Sequence, residues 1–445
     1  MSPVDTAIVA RWVVPIEPEF TVLEHHAVII RGGLIEDILP EEEARAAYPD
    51  ANFEVLSDHA LIPGLINAHS HSAMTLMRGI ADDKPLMDWL NNHIWPLERQ
   101  WVNETFVRDG TDLALAEMIR GGVTTFNDMY FFPEVTAQQA ILRGMRAVIG
   151  MIVIDFPTAW AGNADEYIEK GLALRDTFRH EPRINFAFAP HAPYTVSDAP
   201  LLRIRTLANE LDLPIHMHIH ETEDEILASQ KTVGMRPLNR LNQLGLLGPD
   251  LMAVHMTQLE DSEIKLLAET GVHVIHCPES NLKLASGFCP VAKLLEAGIN
   301  VALGTDGAAS NNDLDLLGEM RTAALLAKAV AKDASALPAF RALQMATLGG
   351  AKALGIGDVT GSIVPGKYAD MTALRLDNLE TQPLFNPVSD LVYAASRHQV
   401  TDVWVEGRRV LRNKQLMTIN ESELRVRIDY WRERLATAPA NSSTH

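Results

Sequence analysis

The chain of 445 residues carries 38 Lys+Arg against 58 Asp+Glu, a formal charge of −20, with 47% hydrophobic residues. No basic run is present to replace phosphate counterions, which excludes nucleic acid as a partner, and no apolar stretch reaches the ~18 residues of a membrane span. The first fifteen residues lack the pattern of a secretory signal, and the two cysteines, Cys277 and Cys289, exclude a disulfide framework, so a cytoplasmic protein is expected.

Residues 1–62 contain TAIVARWVVP, HAVIIRGGLIEDILP and FEVLSDHALIP, β-branched runs split by Gly, Pro and Asp. From 63 to 363, helix-period stretches alternate with short apolar runs that read as buried parallel strands. These runs are, in order, LINAHSH, VTTFND, MRAVIGMIVI, INFAFAP, PIHMHI, LMAVH, VHVIHC and INVALGTD. Gly122, Gly144, Gly271 and Gly298 stand where a helix hands over to a strand, a junction that favours the left-handed conformation. Eight strands alternating with helices over about 300 residues predict a (β/α)8 barrel. An open doubly wound sheet would need a Gly-rich phosphate turn after its first strand, and His-Ser-His stands there instead. Residues 364–420 have the texture of the first 62, with ADMTALRL and a hairpin expected at Glu406-Gly407. Neither end is long enough to bury a good core alone, so the two are expected to pair into one small β-sandwich domain. Residues 421–445 predict a helix capped by Asn420, then a disordered polar tail, PANSSTH.

Sixteen histidines are more than packing needs. His69 and His71, two apart on a predicted strand, point to one face. At the C-terminal end of a barrel strand that face opens on the mouth where active sites are built. An isolated His-x-His carries little weight; the other strand ends supply it. Strand five ends in HMHIHET, strand six in AVH, strand seven in VIHCPESN and strand eight in ALGTD, which adds His218, His255, His276 and Asp306. Imidazole nitrogens with one carboxylate oxygen suit Zn²⁺ and equally accept Fe²⁺ or Mn²⁺, and a position left open for water makes such a site catalytic.

PGLINAHSH, HMHIHET, HCPESNLKLASG and LGTDGAASNNDLD, closed by GSIVPGKYADM and VWVEGRRV, resemble the amidohydrolase superfamily, specifically its methylthioadenosine/S-adenosylhomocysteine deaminases. The resemblance spans nearly the whole chain. It implies His69, His71, His218 and Asp306 as metal ligands. Within HMHIHET the alternatives are His216, one pleat deeper on the same face, and His220, on the opposite side of a regular strand. The spacing His-x-x-Glu, like the family motif, selects His218 with Glu221. Two-metal members usually bridge their ions through a modified lysine late in strand four; FAPHAPYT has none, so one divalent ion, Zn²⁺ before Fe²⁺ or Mn²⁺, is expected.

In that reading Asp306 is the general base, His255 holds the attacking water by a hydrogen bond, and Glu221, kept neutral by burial, protonates a ring nitrogen. The resemblance places Glu98 of NNHIWPLERQ on the ribose hydroxyls and His191 of APHAPYT against the nucleoside. Trp89, with Leu86 and Met87, is expected to wall the apolar side. Arg146 is matched to a family arginine that holds the S-adenosylhomocysteine carboxylate. No second arginine occurs in VIDFPTAWAGNADEY, where Phe156, Pro157 and Trp160 are apolar, so methylthioadenosine and adenosine rank above S-adenosylhomocysteine. The expected partner is therefore a small nucleoside; a homo-oligomer is compatible with the sequence, which does not fix the number of copies. The main alternative is an aminohydrolase or chlorohydrolase of guanine, cytosine or a triazine, which shares the His-x-His, the strand-five His and the strand-eight Asp. A metal-free assembly protein would lack a ligand, and a nucleotide-binding module would show a Gly-rich phosphate cradle.

Overall fold

The computed structural model describes residues 5–436. Its centre is a parallel sheet of eight strands whose order follows the chain: β1 (Leu65–Ser70), β2 (Val123–Met129), β3 (Arg146–Val153), β4 (Ile184–Pro190), β5 (Ile215–Ile219), β6 (Leu251–His255), β7 (His273–His276) and β8 (Val301–Leu303). A parallel bridge between Ser70 and Asp306, with the Asp306 amide donating to the His69 carbonyl at 3.1 Å, closes the ring. The (β/α)8 expectation holds, strand for strand. The four glycines at the helix-to-strand junctions all have φ between 77° and 86°, a region that costs a residue with a Cβ about 1–2 kcal/mol. Inside the barrel, Ile66, Ala68, Val148, Ala187, Met252, Val254, Ile275 and Ala302 form a dry plug that closes the floor and leaves only the mouth open.

The two chain ends form one mixed sheet of eight strands, four from each end. Met371–Arg375 joins the halves by running antiparallel to Phe53–Pro63, from Met371 opposite Pro63 to Arg375 opposite His59. The sheet folds over an apolar core of Ile8, Val28, Ile30, Leu61, Met371 and Trp404, so that Gly407 of the predicted hairpin lies against Ile30 and Gly33. Phe53–Pro63 then feeds directly into β1 through Gly64, where a Cβ would stand 2.1 Å from the Thr124 hydroxyl.

The C-terminal helix, Glu421–Ala436, is capped by Asn420, whose Oδ1 accepts from the amides of Ser422 and Glu423. It is anchored to the helix Glu104–Arg120: the Trp431 indole and Arg427 donate to buried Asp109, and Arg427 also reaches Asp112. Trp431 and Leu435 pack in one cluster with Met74, Leu86, Trp89 and Phe106, so this helix supports the segment after β1 that roofs the mouth. PANSSTH lies outside the described residues. Among those described, no helix is long and apolar enough to cross a membrane.

Candidate active site

The ends of β1, β4, β5, β6 and β8 bring His71, His191, His218, His255 and Asp306 to one cavity at the mouth, and three residues at strand ends are strained. His220, His255 and Asp306 have φ of 56°, 75° and 60°. Residues with a Cβ rarely adopt this conformation, and where a fold enforces it the site is commonly functional. At His255 and Asp306 the turn falls on a side chain that lines the cavity, and at His220 it comes one residue before Glu221, which does so too.

The ligand atoms of His69, His71, His218 and Asp306 lie within 4.8 Å of one another. Nε2 of His69 and Nε2 of His71 are each 3.2 Å from Asp306 Oδ1, and Nε2 of His218 is 3.2 Å from that of His69. The outer nitrogens are already engaged: His71 Nδ1 donates to the Met129 carbonyl at 2.6 Å and His218 Nδ1 to the His191 carbonyl at 2.8 Å. Because a carbonyl only accepts, those protons sit on Nδ1 and both Nε2 lone pairs face the shared centre. Two lone pairs converging on a buried carboxylate suit a cation, and three imidazoles with one carboxylate can form the donor set of a single Zn²⁺-type ion. The end of β4 offers no lysine to bridge a second.

Burial raises the Asp306 carboxyl, but hydrogen bonds and charge from His69 and His71 outweigh it and hold the group well below the usual carboxylate range. Its other oxygen, Oδ2, accepts from the hydroxyls of Ser280 at 2.6 Å and Ser310 at 2.9 Å. Neither serine emerged from the sequence reading; the only signal is that each sits four residues after a candidate, His276 and Asp306. Glu221 behaves in the opposite way. Burial, reinforced by the charge of Asp306, pushes its carboxyl well above the ordinary value. Its side chain lines the cavity with Oε2 3.7 Å from His255 Nε2. Thr222, not Glu221, caps the helix that follows, and Glu225 holds the turn by accepting from the amides of Glu221 at 2.8 Å and His220 at 3.2 Å. His255 Nδ1 meets the Asn281 amide at 2.9 Å, which leaves Nε2 facing the cavity; burial lowers its pKa to about 3, so the ring is neutral.

The cavity over this centre has a volume of about 770 Å³. Glu98 reaches it from the helix Trp95–Trp101 and accepts from the Tyr130 hydroxyl at 2.7 Å, a partner that sequence gave no reason to expect. Burial lifts the Glu98 carboxyl to about 7. His191, at the end of β4, also lines the cavity; burial lowers it to about 3, and its Nδ1 meets the Thr195 hydroxyl at 3.0 Å. Trp89 and Leu86 wall the apolar side, whereas Met87 is not among the lining residues. Phe156 and Pro157 line it too, and Arg99, at the rim, is its only Lys or Arg.

Two histidines of the strand-end motifs fall outside the group. His276 is buried away from the cavity, and His220 is tied at Nδ1 to the Gln258 carbonyl and at Nε2 to the Leu238 amide, on the far side of β5 as the strand period required. Arg146 is a correction. It begins β3, at the floor of the barrel, where its guanidinium donates to Asp370 at 3.0 Å and Glu406 at 3.1 Å and lies over the Tyr368 ring. It ties the barrel to the small sheet and cannot touch a ligand in the mouth. The error came from matching a residue type without asking which end of the strand it occupies.

A model of the amidohydrolase family matches residues 60–410. The chain is 50% identical over 434 residues to a 5-methylthioadenosine/S-adenosylhomocysteine deaminase of Teredinibacter turnerae, covering 98% of each chain. It is 48% identical to a protein of the same name from Saccharophagus degradans, covering 99% of each. Among solved structures it superposes, with a TM-score of 0.95 and 53% identity, on an adenosine deaminase from Xanthomonas campestris with bound zinc, covering 98% of this chain and 100% of that one. With the barrel, the two-ended sheet and the histidine–aspartate centre in place, these matches establish that the chain belongs to the amidohydrolase family and, within it, to the methylthioadenosine/S-adenosylhomocysteine deaminases.

Proposed function

We propose that the protein is a zinc-dependent aminohydrolase that converts the adenine ring of an adenosine-type nucleoside to hypoxanthine with release of ammonia. One observation carries this reading: a single cavity holds a carboxylate kept ionised, Asp306, a carboxyl kept neutral, Glu221, and, across from them, a carboxylate suited to a cis-diol, Glu98. Two carboxyl groups with opposed protonation divide base and acid between them.

His69, His71, His218 and Asp306 would hold the ion, which lowers the pKa of a water from 15.7 to about 7 and so supplies a nucleophile at neutral pH. Asp306 takes the proton of the attacking water. His255, with Nε2 facing the cavity, orients that water by a hydrogen bond. Attack at C6 costs ring aromaticity, and Glu221 offsets this by delivering its proton to N1 as the C–O bond forms. The proton held by Asp306 then passes to the amino group, Glu221 recovers a proton from the C6 hydroxyl as the C–N bond breaks, and ammonia leaves. Glu98, buttressed by Tyr130, accepts from the ribose hydroxyls, and His191 contacts the nucleoside. The apolar stretch at Phe156 and Pro157 suits a methylthio group or a short 5′ substituent, which ranks methylthioadenosine and adenosine above S-adenosylhomocysteine.

The test is the ultraviolet change from adenine to hypoxanthine with methylthioadenosine, adenosine and S-adenosylhomocysteine in parallel, on protein of measured metal content. Guanine, cytosine and a triazine complete the panel. Turnover of nucleosides alone is expected; preferential turnover of a free base or triazine overturns the reading.

A further inference from the structure

Glu221 carries the acid of the proposed chemistry, yet little holds its carboxyl directly. Oε1 lies 3.5 Å from the Ser286 hydroxyl and Oε2 3.7 Å from His255 Nε2, both at or beyond the limit of a hydrogen bond. Its direction is therefore set by the main chain that bears it, and that main chain is strained. His220, the preceding residue, is left-handed at φ 56°. A residue in this conformation can turn consecutive amides to one side, making a concavity that takes an anion. The amides of His220 and Glu221 both donate to one carboxylate, that of Glu225, at 3.2 Å to Oε1 and 2.8 Å to Oε2. On the other side, the Glu221 carbonyl accepts from the Thr257 hydroxyl at 2.7 Å, and the Gln258 side-chain amide donates to that hydroxyl at 3.0 Å. Glu225 and Thr257 are buried, and neither lines the cavity. Glu225 stands third in the helix Glu223–Val233, the place of a capping-box glutamate, which ordinarily accepts from the amide of the cap residue, here Thr222. It reaches one and two residues further back, to the residue that faces the cavity, and capping the helix does not require that reach.

We propose that Glu225 and Thr257 are positioning residues for Glu221, gripping the peptide groups on its two sides so that its carboxyl points at the bound ring. This rests on Glu221 being the acid. Neither residue touches the substrate; both act by keeping Glu221 where its proton can be transferred, so they matter in the transition state more than in holding the nucleoside.

The experiment is a pair of substitutions, each made in two backgrounds of the full-length chain. Glu225→Gln has the same shape but sets an NH₂ group against one of the two amides. Assays with methylthioadenosine run above the value of about 7 to which burial lifts the Glu225 carboxyl, where the wild-type group is ionised. In the wild-type background kcat should fall by about 10–100-fold, the order set by a displacement of about 1 Å at a reacting group. KM should change little, the pattern of an interaction made only in the transition state. Zinc content and thermal midpoint should stay near wild type. Thr257→Val, which removes the hydroxyl at constant size, should act in the same way and by less. In the Glu221→Gln background, followed at high enzyme concentration, neither substitution should lower kcat further, because no transferable proton remains to be aimed. Equal fold-losses in the two backgrounds, or an unchanged kcat in both single variants, overturns the proposal. So does a loss of zinc or of folding that accompanies the fall in kcat in both; where Glu225→Gln alone folds poorly, Thr257→Val carries the comparison. Wild-type turnover by Glu221→Gln itself means instead that the acid assignment has failed.

Discussion

The mouth and the floor of the barrel both bury charge, and they handle it differently. At the floor, Arg146 is 1% exposed and faces Asp370 and Glu406, so every charge has a partner within hydrogen-bonding distance. At the mouth, Glu221 is buried and Glu98 half-buried, neither pairs with a Lys or Arg among the described residues, and desolvation pushes both carboxyls up. A paired buried charge holds elements together; an unpaired one stores a displaced protonation state that chemistry can use.

The comparison breaks most directly at Glu221. Glu221→Gln keeps the shape and the neutral charge but removes the transferable proton, so kcat should fall by about 10²–10⁴-fold while bound metal, measured on the purified protein, is unchanged. Loss of metal with turnover intact would place Glu221 in the wrong half of the comparison. Arg146→Met tests the floor. It leaves Asp370 buried without a cation, while half-buried Glu406 keeps Arg183 at 3.9 Å, which should cost about 3–5 kcal/mol in denaturant unfolding. The ratio of kcat/KM for S-adenosylhomocysteine to that for methylthioadenosine should not move; a selective loss of the former would return Arg146 to the ligand.

That ratio is itself expected to favour methylthioadenosine by about tenfold or more. A carboxylate carried along the Phe156–Pro157 wall without a full partner costs about 1–3 kcal/mol, whereas an exposed pair with Arg99 at the rim returns at most about 1 kcal/mol. Equal turnover of the two would show that the rim outweighs the wall.

What was legible in the sequence follows a pattern. Barrel strands, junction glycines and the His69–His71 pair were readable because each rests on a local rule: a period, a turn conformation, a spacing of two; the choice of His218 and Asp306 to join them came with the family resemblance. Ser280 and Tyr130 were not, because their significance lies in a partner far along the chain, as with Tyr130 and Glu98, 32 residues apart; Ser310 is only four residues from Asp306, but a serine at that spacing marks no period or turn. Arg146 shows the converse. Its residue type was informative only once its end of β3 was known, and strand polarity relative to the mouth is a tertiary fact. The segment after β1 was the least readable stretch: it passes through a 3₁₀ turn, a short helix, a π turn at Leu90–Ile94 and the helix bearing Glu98, and no single period describes it.

The mildest effects should come from Glu98, whose displaced protonation is the smaller of the two at the mouth. A carboxylate accepts two hydrogen bonds from a cis-diol only when ionised, and burial brings this group to about 7. The competent fraction therefore falls as pH drops, and KM for a ribonucleoside should rise by about fivefold from pH 7 to pH 6. A 2′,3′-dideoxy analogue, with no diol to bind, should show no such rise. Tyr130 donates to Glu98 and opposes the effect of burial, so Tyr130→Phe should move the dependence to higher pH and raise KM at pH 7 several-fold, the result of a loss of about 1.4 kcal/mol, or tenfold in the acid dissociation of Glu98. With kcat at saturating substrate little changed, the loss lies in ribose binding; a fall in kcat with KM constant would instead tie Tyr130 to the chemistry at C6.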